Sequence, residues 1–324
     1  MRAVTATRHG GPEVLVLADR PDPTPGPGEV VVRLAAAGVN FKDVYEREGR
    51  TKAAVPFVPG SEGAGTVSQV GAGVEGLAVG DRVAWWSAPG SYAEQVLVPA
   101  ASAVPLPDDI SELDAAAVLL QGLTAHYLVT SVHETRKGGT ALVHSAAGGL
   151  GLHLTRLLAG RGVRVLATVS TPEKAPTARA AGADEVIVRP EGPALAAAVR
   201  ELTDGRGVDV VFDGIGRDTF EAGLASLRRR GTFVLVGAAS GPVPPLDPQS
   251  LAAHGSLLLT RPTLADFATD PDELRSRAAE LFDWLRSGLI EVSIGGRYSL
   301  DQASAAHTDL QSRRTTGKLL LLPS

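Results

Sequence analysis

Cysteine is absent from the 324 residues of this chain, and its absence removes several kinds of chemistry at once. Disulfides, thiolate nucleophiles and zinc sites built on cysteine are excluded, whatever the fold. Aromatic residues make up only 4% of the chain, and the net charge is -5. We therefore expect no nucleic-acid partner, because the chain has neither an overall basic balance nor many side chains on which bases could stack.

Long hydrophobic runs are also scarce. The most apolar stretch, AAAVLLQGLTAHYLV, is interrupted by Gln121 and His126, and it falls short of the ~18 uncharged apolar residues that a membrane helix needs. The first residues, MRAVTATRHGGPEV, contain no apolar segment typical of a secretion signal. We expect a soluble, cytoplasmic protein with no membrane partner, and the length predicts two domains at ~100–200 residues per domain.

The pattern of apolar residues changes along the chain. Short runs such as EVVVRLAAAGV and GAGTVSQVG, divided by Gly and Pro clusters, predict a β-rich region over the first hundred residues. From residue 111, where a Ser-x-x-Asp cap predicts a helix start, apolar strands alternate with helices of about a dozen residues. This alternation predicts an α/β fold, a parallel sheet covered on both faces. TFEAGLASLRRRG is predicted as one helix of that series.

A glycine-rich loop, SAAGGLG, follows the predicted strand TALVH and precedes a predicted helix. In this context glycines permit a tight turn and a close approach of a pyrophosphate to free amides at the helix N-terminus. The first glycine of the usual dinucleotide fingerprint is here Ala146. The predicted cofactor contacts in this loop are Ala147, Gly148, Gly149, Leu150 and Gly151.

The second strand of the α/β region indicates which dinucleotide binds. Sites for NAD normally place Asp or Glu at its end to bind the ribose hydroxyls. The stretch LATVSTP contains no acid, and Ser170, Thr171 and Lys174 stand there instead. Hydroxyls and a lysine attract a 2′-phosphate, which a carboxylate would repel. The cofactor is therefore predicted to be NADPH, with Ser170 and Lys174 as contacts.

Five motifs carry a resemblance to a known family. GVNFKD, PGSEGAG, VGDRVA, AAGGLG and TRPTL, in this order, resemble the zinc-free quinone oxidoreductases of the medium-chain dehydrogenase/reductase superfamily, the group that includes zeta-crystallin. The resemblance implies a Rossmann doubly wound parallel sheet inserted in a GroES-like β-rich catalytic domain. The catalytic domain would span 1–124 and 262–324, and the NADP(H)-binding domain 125–261. The active site would lie in the interdomain cleft.

The zinc-binding relatives provide a contrast. They carry cysteine where Asn40 stands, histidine where Ser61 stands, and another cysteine near Gln121. Glu62 remains, but a single carboxylate does not make a zinc site. Seven histidines are spread along the chain without an i,i+4 pair. They are His9, His126, His133, His144, His153, His254 and His307. We therefore expect no catalytic metal.

The resemblance also implies site residues. Asn40 and Tyr45 would donate hydrogen bonds to a substrate oxygen that gains charge, with Thr124 beside the nicotinamide. Lys42 either adds positive charge near them or points to solvent. Arg189 stands where relatives carry a tyrosine at the adenosine end of the cofactor. The further cofactor contacts that the resemblance implies are Gly214, Gly216, Gly237, Ala238, Arg189 and Arg313.

Three functions remain open at this stage. The main expectation is an NADPH-dependent quinone reductase that forms a homodimer through the edge strand GSLLLTR. The alternative enzyme would reduce the double bond of an enal or enone, which is also a flat, electrophilic small molecule. A third reading, a cofactor- or RNA-binding protein without catalysis, has support only from SLRRRG and QSRRTTGK. TTGKLL lacks the leading glycine and the Ser or Thr of a P-loop.

Overall fold

The computed structural model describes residues 1–51, 53–188, 192–312 and 314–323. The chain forms two compact units. The first unit contains Met1–Leu123, Asp270–Asp283 and Val292–Ser324, and the second contains Thr124–Thr269 and Trp284–Glu291. The sequence predicted that the chain re-enters the first domain at residue 262. In the structure, residues 262–269 and 284–291 pack with the second unit.

Side-chain contacts explain why 284–291 belongs to the second unit. The Trp284 ring stacks on His126 with ring centroids 4.8 Å apart. Arg156 and Glu291 form an ion pair. These contacts hold the segment against the helices that flank the second unit's sheet, so the division predicted from sequence differs from the compact units there.

The first unit is built on a seven-stranded sheet whose central strand, β3, spans Glu29–Val39 and pairs with three others. A separate antiparallel pair joins β1 to β2. The other strands of this unit are β1 (Arg2–Ala6), β2 (Leu15–Asp19), β4 (Gly63–Val70), β5 (Arg82–Trp85), β6 (Gln95–Pro99), β7 (Ala103–Pro105), β14 (Ile294–Ser299) and β15 (Lys318–Leu322). The larger sheet has the order β14-β15-β3-β4-β5-β7, and β6 pairs with β3. It encloses a core that contains the buried Trp85 and Tyr92.

Besides the long helix that begins at Glu112, three helices in the described ranges accompany this sheet in the first unit. They are α1 (Phe41–Arg47), α8 (Pro271–Arg286), whose last turn belongs to the second unit, and α9 (Ala303–Gln311). Helix α1 follows β3 directly, so Asn40 stands between the end of the central strand and the first helical turn. Sequence patterns did not reveal α1, because its seven residues are too few for a clear helical period.

Helix α2 (Glu112–Tyr127) begins at the predicted cap, where the Asp114 amide donates to Ser111 Oγ at 3.0 Å. Together with the π-helical turn Leu128–Val132 it is long and apolar enough to cross a membrane by length and composition, with mean hydropathy 1.4. The expectation that no stretch would qualify is therefore wrong on that measure. However, 67% of its most apolar 18-residue window is buried inside the protein, as in the core helix of a globular protein.

The second unit contains a six-stranded, fully parallel sheet in the order β10-β9-β8-β11-β12-β13. Its strands are β8 (Thr140–Val143), β9 (Arg164–Val169), β10 (Glu185–Val188), β11 (Val208–Asp213), β12 (Leu227–Leu235) and β13 (Leu258–Thr260). Its helices are α3 (Gly149–Gly160), α4 (Ala175–Ala180), α5 (Pro193–Leu202), α6 (Phe220–Ser226) and α7 (Pro248–Ala253). This strand order is that of the Rossmann fold, as predicted, and its switch point lies between β8 and β11.

The arginine run after α6 corrects one prediction. Sequence placed SLRRRG at the end of a helix, but α6 ends at Ser226 and the arginines lie in strand β12. Leu227 is already extended, and the Arg228 guanidinium donates to Asp209 Oδ1 at 2.5 Å. The local pattern was misleading because this long-range ion pair and the pairing of β12 with β11 determine the backbone.

Candidate functional site

The glycine-rich loop lies at the carboxyl end of β8, at the switch point of the second unit's sheet. Gly148 is the N-cap of α3 and provides no side-chain cap. The amides of Gly149, Leu150 and Gly151 belong to the first helical turn, so none of them has an acceptor within the helix. A side chain at Gly151 would collide with the carbonyl oxygen of Ser145. This loop suits a pyrophosphate, which needs close backbone approach and free amides.

A second set of predicted cofactor contacts lies after β11 and β12. Gly214 has open space where a Cβ would stand, whereas a Cβ on Gly237 would lie 2.7 Å from the Gly214 carbonyl oxygen. The two glycines therefore form a smooth surface beside the switch point. Gly216 and Ala238 accompany them, since a Cβ on Gly216 would lie 3.0 Å from Ala238 Cα. This side-chain-free surface can accommodate the flat nicotinamide portion of a dinucleotide.

Asp213 organises the turn that contains Gly214 and Gly216. Its buried carboxylate accepts from the amides of Ile215 and Gly216 at 2.6 and 3.1 Å, and from Thr219 Oγ1 at 2.8 Å. Sequence reasoning missed this residue. The available signal was an acidic residue at the end of an otherwise apolar strand, VDVVFD, where a buried carboxylate needs several donors.

The end of β9 carries the residues predicted to distinguish NADPH from NADH. Ser170 and Thr171 follow the strand directly, and Lys174 closes the next short turn, Pro172–Lys174. Lys174 is half-buried, and this burial lowers its pKa. These residues lie at the same carboxyl edge of the parallel sheet as the glycine loop. Of the other predicted cofactor contacts, Arg189 and Arg313 lie outside the described residues.

In the first unit, a buried polar cluster surrounds Asn40, which is only 8% exposed. Asn40 Nδ2 donates to Glu62 Oε1 at 2.6 Å and, more weakly, to the Gly38 carbonyl at 3.4 Å. Its Oδ1 accepts from Lys318 Nζ at 2.8 Å and from Gln121 Nε2 at 3.3 Å. Lys318 also forms an ion pair with Glu62, and the two side chains are 2% and 1% exposed. We call Asn40, Glu62, Gln121 and Lys318 the amide cluster.

The amide cluster does not fit a zinc ion. The oxygens of Glu62 and Asn40 that a metal would need already accept bonds from the Lys318 ammonium, which would repel a second cation at that place. Within the described ranges, no three His, Cys, Asp or Glu side chains are grouped so that they could hold a metal ion. The Ser61 hydroxyl is committed elsewhere and donates to Asp43 Oδ1 at 3.3 Å.

A chain of buried hydrogen bonds supports the helix that Asn40 begins. Arg47 only donates, so His307 Nδ1, 3.2 Å away, accepts, and its Nε2 carries the proton. That nitrogen lies 3.2 Å from Tyr92 Oη, which in turn donates to Asp43 Oδ2 at 2.9 Å. Burial and the Arg47 charge lower the pKa of His307 to about 3. Burial raises the pKa of Asp43 to about 6.

The other predicted catalytic residues are Tyr45 and Thr124, and Lys42 lies near Tyr45 in the sequence. Tyr45 is half-buried on α1. The centroid of its ring lies 6.3 Å from that of Phe41 and 5.3 Å from Cζ of Arg50. Thr124 lies in α2 and is the first residue of the second unit. Lys42 is exposed. Both of its predicted alternatives, added positive charge near Asn40 and Tyr45 or a position in solvent, stay predictions.

Together, a Rossmann sheet with a glycine-lined edge and a β-rich unit with a buried polar cluster define a dinucleotide-dependent oxidoreductase of the medium-chain class. Two family models match the chain. An alcohol dehydrogenase GroES-like domain matches residues 26–108, and a zinc-binding dehydrogenase domain matches residues 149–282.

Individual relatives match nearly end to end. A quinone oxidoreductase of Pseudomonas aeruginosa is 45% identical over 97% of both chains, and a 2-haloacrylate reductase of Burkholderia sp is 38% identical over 99% of this chain and 98% of that one. The solved structure of mycobacterial Rv1454c complexed with NADPH is 52% identical, with a TM-score of 0.97 and all of both chains covered. The chain belongs to the quinone oxidoreductase family of the medium-chain dehydrogenase/reductase superfamily, which confirms the resemblance.

The His307 chain predicts a specific dependence of stability on pH. Because the folded pKa of His307 lies below its unfolded value of about 6.5, its contribution is complete above that pH and is lost as the pH falls toward 3. Asp43 acts oppositely between about pH 4 and 6, since its folded pKa is raised. The free-energy difference between wild type and His307→Gln should therefore shrink by about 2 kcal/mol from pH 7.5 to 5.

Urea titrations followed by tryptophan fluorescence measure this difference, since Trp85 and Trp86 lie in the same unit. His254→Gln, at an exposed position, controls for loss of an imidazole as such. If the difference in unfolding free energy between wild type and His307→Gln stays constant across this pH range, folding does not hold His307 neutral.

Proposed function

We propose that this protein is an NADPH-dependent quinone oxidoreductase that works without a metal. The observation that carries the proposal is the carboxyl edge of the parallel sheet. There the glycine loop, the Gly214–Gly237 surface and the acid-free end of β9 together suit a dinucleotide with a 2′-phosphate. End-to-end similarity to the quinone oxidoreductase of Pseudomonas aeruginosa and to an NADPH-complexed structure supports it.

The proposal assigns some residues to cofactor binding and others to substrate binding. NADPH, when bound, supplies a hydride. Gly149, Leu150 and Gly151 hold its pyrophosphate through their amides, and Lys174 and Ser170 bind its 2′-phosphate. Thr124 is proposed to stand beside the nicotinamide. Asn40 and Tyr45 meet the quinone oxygen that gains negative charge.

The geometry around Asn40 refines its proposed role. One of its two N–H bonds is strongly committed to Glu62 at 2.6 Å, so that hydrogen is not available to substrate. The other makes only a 3.4 Å contact with the Gly38 carbonyl. A quinone oxygen can replace that weak contact at little cost, because bonds of this length contribute little. The second N–H is therefore the proposed donor in an oxyanion-type interaction.

A second candidate is the reduction of a carbon–carbon double bond conjugated to a carbonyl. The 38% identity with a 2-haloacrylate reductase favours it specifically. Both reactions place negative charge on a substrate oxygen, so the same donors serve both. An RNA-binding role has less support, because Arg228 of the arginine run is paired with Asp209 and the net charge is -5. We propose no nucleic-acid or membrane partner, and a cytoplasmic location.

Steady-state kinetics with NADPH test the proposal directly. A small naphthoquinone should be reduced with a kcat/KM at least about tenfold above that of a simple enone or of 2-chloroacrylate, a factor equal to about 1.4 kcal/mol in barrier. Each substrate's product should be quantified so that hydride consumption and substrate reduction agree. Faster reduction of the enone or the haloacrylate would replace the main proposal by the second candidate.

Cofactor choice tests the phosphate contact. Lys174→Met should weaken NADPH binding by ~1–3 kcal/mol, the range for a hydrogen bond to a charged group, and should leave NADH binding nearly unchanged. Fluorescence titration measures both. Lys137→Met is the matched control, because Lys137 is an exposed lysine that precedes β8 at the opposite edge of the same sheet. An equal loss for both cofactors would show that Lys174 does not recognise the phosphate.

We also propose a homodimer formed through β13. This strand ends the parallel sheet, and its Leu258 is 62% exposed. An apolar strand with a free edge invites pairing with its own copy across a twofold axis.

Leu258→Glu should convert the dimer to a monomer, because a twofold interface would bring two carboxylates together. Sedimentation velocity at several micromolar concentrations measures this. Val16→Glu, at a 58% exposed position on β2, should leave the dimer intact. A wild-type protein that is monomeric at every concentration would contradict the proposed interface.

A further inference from the structure

The buried ion pair in the amide cluster is not part of the proposed reaction, yet it contacts the residue proposed to meet the substrate. Glu62 Oε1 accepts from both Lys318 and Asn40, and Glu62 Oε2 accepts from the Leu120 amide at 3.3 Å. Lys318 donates to Glu62 and to Asn40 Oδ1. The carboxylate, the ammonium and the amide thus form a closed triangle.

This triangle allows one orientation of the Asn40 amide. An ammonium can only donate and an ionised carboxylate can only accept, whereas an amide has one end of each kind. The carbonyl oxygen of Asn40 must therefore face Lys318, and its NH2 must face Glu62. A flipped amide would place oxygen against a carboxylate and NH2 against an ammonium, which are both repulsive contacts. Neutral partners such as hydroxyls would not discriminate in this way, because they can donate or accept.

Gly38 leaves space for the Glu62–Lys318 ion pair. A Cβ on Gly38 would collide with the Glu62 carboxylate and would lie 2.6 Å from Lys318 Cε. The backbone at this position of β3 consequently leaves room for the two charged side chains. Burial of an ion pair rarely adds stability compared with apolar residues of the same shape, so a role other than stability is a reasonable expectation for it.

We propose that Lys318, held by Glu62, is a positioning residue that fixes the Asn40 amide with its N–H groups directed away from the ammonium and strengthens them as donors. The ammonium withdraws electron density from the amide oxygen, which makes the N–H groups better donors through cooperative hydrogen bonding. The proposal deepens the proposed function, on which its kinetic consequence rests.

A double-mutant cycle tests whether Lys318 acts through Asn40. Lys318→Met alone would leave the buried Glu62 carboxylate without a counter-charge, so the neutral pair Glu62→Gln/Lys318→Met is used instead. With NADPH and a naphthoquinone, this pair and Asn40→Ala should each lower kcat by about tenfold or more. The triple variant should be no slower than Asn40→Ala, because the ion pair has nothing left to orient.

The contradictory outcomes are equally specific. A triple variant whose loss equals the product of the two separate losses would show that the pair acts independently of Asn40. Full turnover in Glu62→Gln/Lys318→Met would also overturn the proposal. A purely structural role would lower the unfolding midpoint without lowering the kcat of the folded enzyme. NADPH affinity, measured by fluorescence, should be the same in all four proteins.

A second readout does not depend on turnover, because Asn40 is the only asparagine in the chain. Selective labelling with 15N-asparagine therefore gives one side-chain NH2 group in the NMR spectrum. In the wild type its two protons should differ strongly in chemical shift, and the one bonded to Glu62 should exchange slowly with water. In Glu62→Gln/Lys318→Met that difference should diminish and exchange should accelerate. Unchanged signals would refute the orientation, whereas failure of quinone turnover with the expected signals would refute only the proposed function.

Discussion

The ion pair between Lys318 and Glu62 is the interaction on which the buried amide cluster of the first unit depends. It joins the first residue of β15 to the segment that precedes β4, and these positions are 256 residues apart. Through Asn40 it also reaches the start of α1, and through the Leu120 amide it reaches α2. Removing either charge alone would leave the other buried without a counter-charge, which usually destabilises a protein by about 3–5 kcal/mol. The pair therefore holds four segments in register around one amide.

The cofactor side is organised by a different principle. There the backbone is the surface proposed to bind the cofactor, and side chains matter mainly where they are missing. Gly151 permits the loop to pack on the Ser145 carbonyl, and Gly214 leaves open space beside the switch point. Asp213 fixes the following turn by accepting three hydrogen bonds. The two proposed sites differ because their ligands differ. A dinucleotide offers phosphates and flat rings to a backbone surface, whereas a quinone requires hydrogen-bond donors at one oxygen.

Much of the fold was predictable because its signals are local. The apolar runs of β8, β9, β10 and β11 and the glycine loop have the spacing of a βαβ unit, and the cap at Ser111 marks the start of α2. The predicted contacts from Ala147 to Gly151, together with Ser170 and Lys174, follow from that series, whereas Gly214, Gly216, Gly237 and Ala238 were implied by the family resemblance. The arginines of β12 were wrongly predicted in a helix because a tertiary contact with Asp209 determines their position, and the segment 284–291 packs with the second unit through contacts such as that of Trp284 with His126. The amide cluster was not predictable from spacing. Lys318 lies in GKLLLL and Glu62 in PGSEG, and no local pattern links residues so distant in sequence.

We propose that an amide oriented by a buried ammonium, and no metal, meets the substrate oxygen in this protein. Metal content measured on the same preparation that reduces a naphthoquinone with NADPH tests this most directly. The account predicts substoichiometric zinc by elemental analysis of untagged protein, and a kcat that neither prolonged chelation nor added zinc changes. One zinc per chain, with activity lost on chelation and restored by zinc, would contradict it.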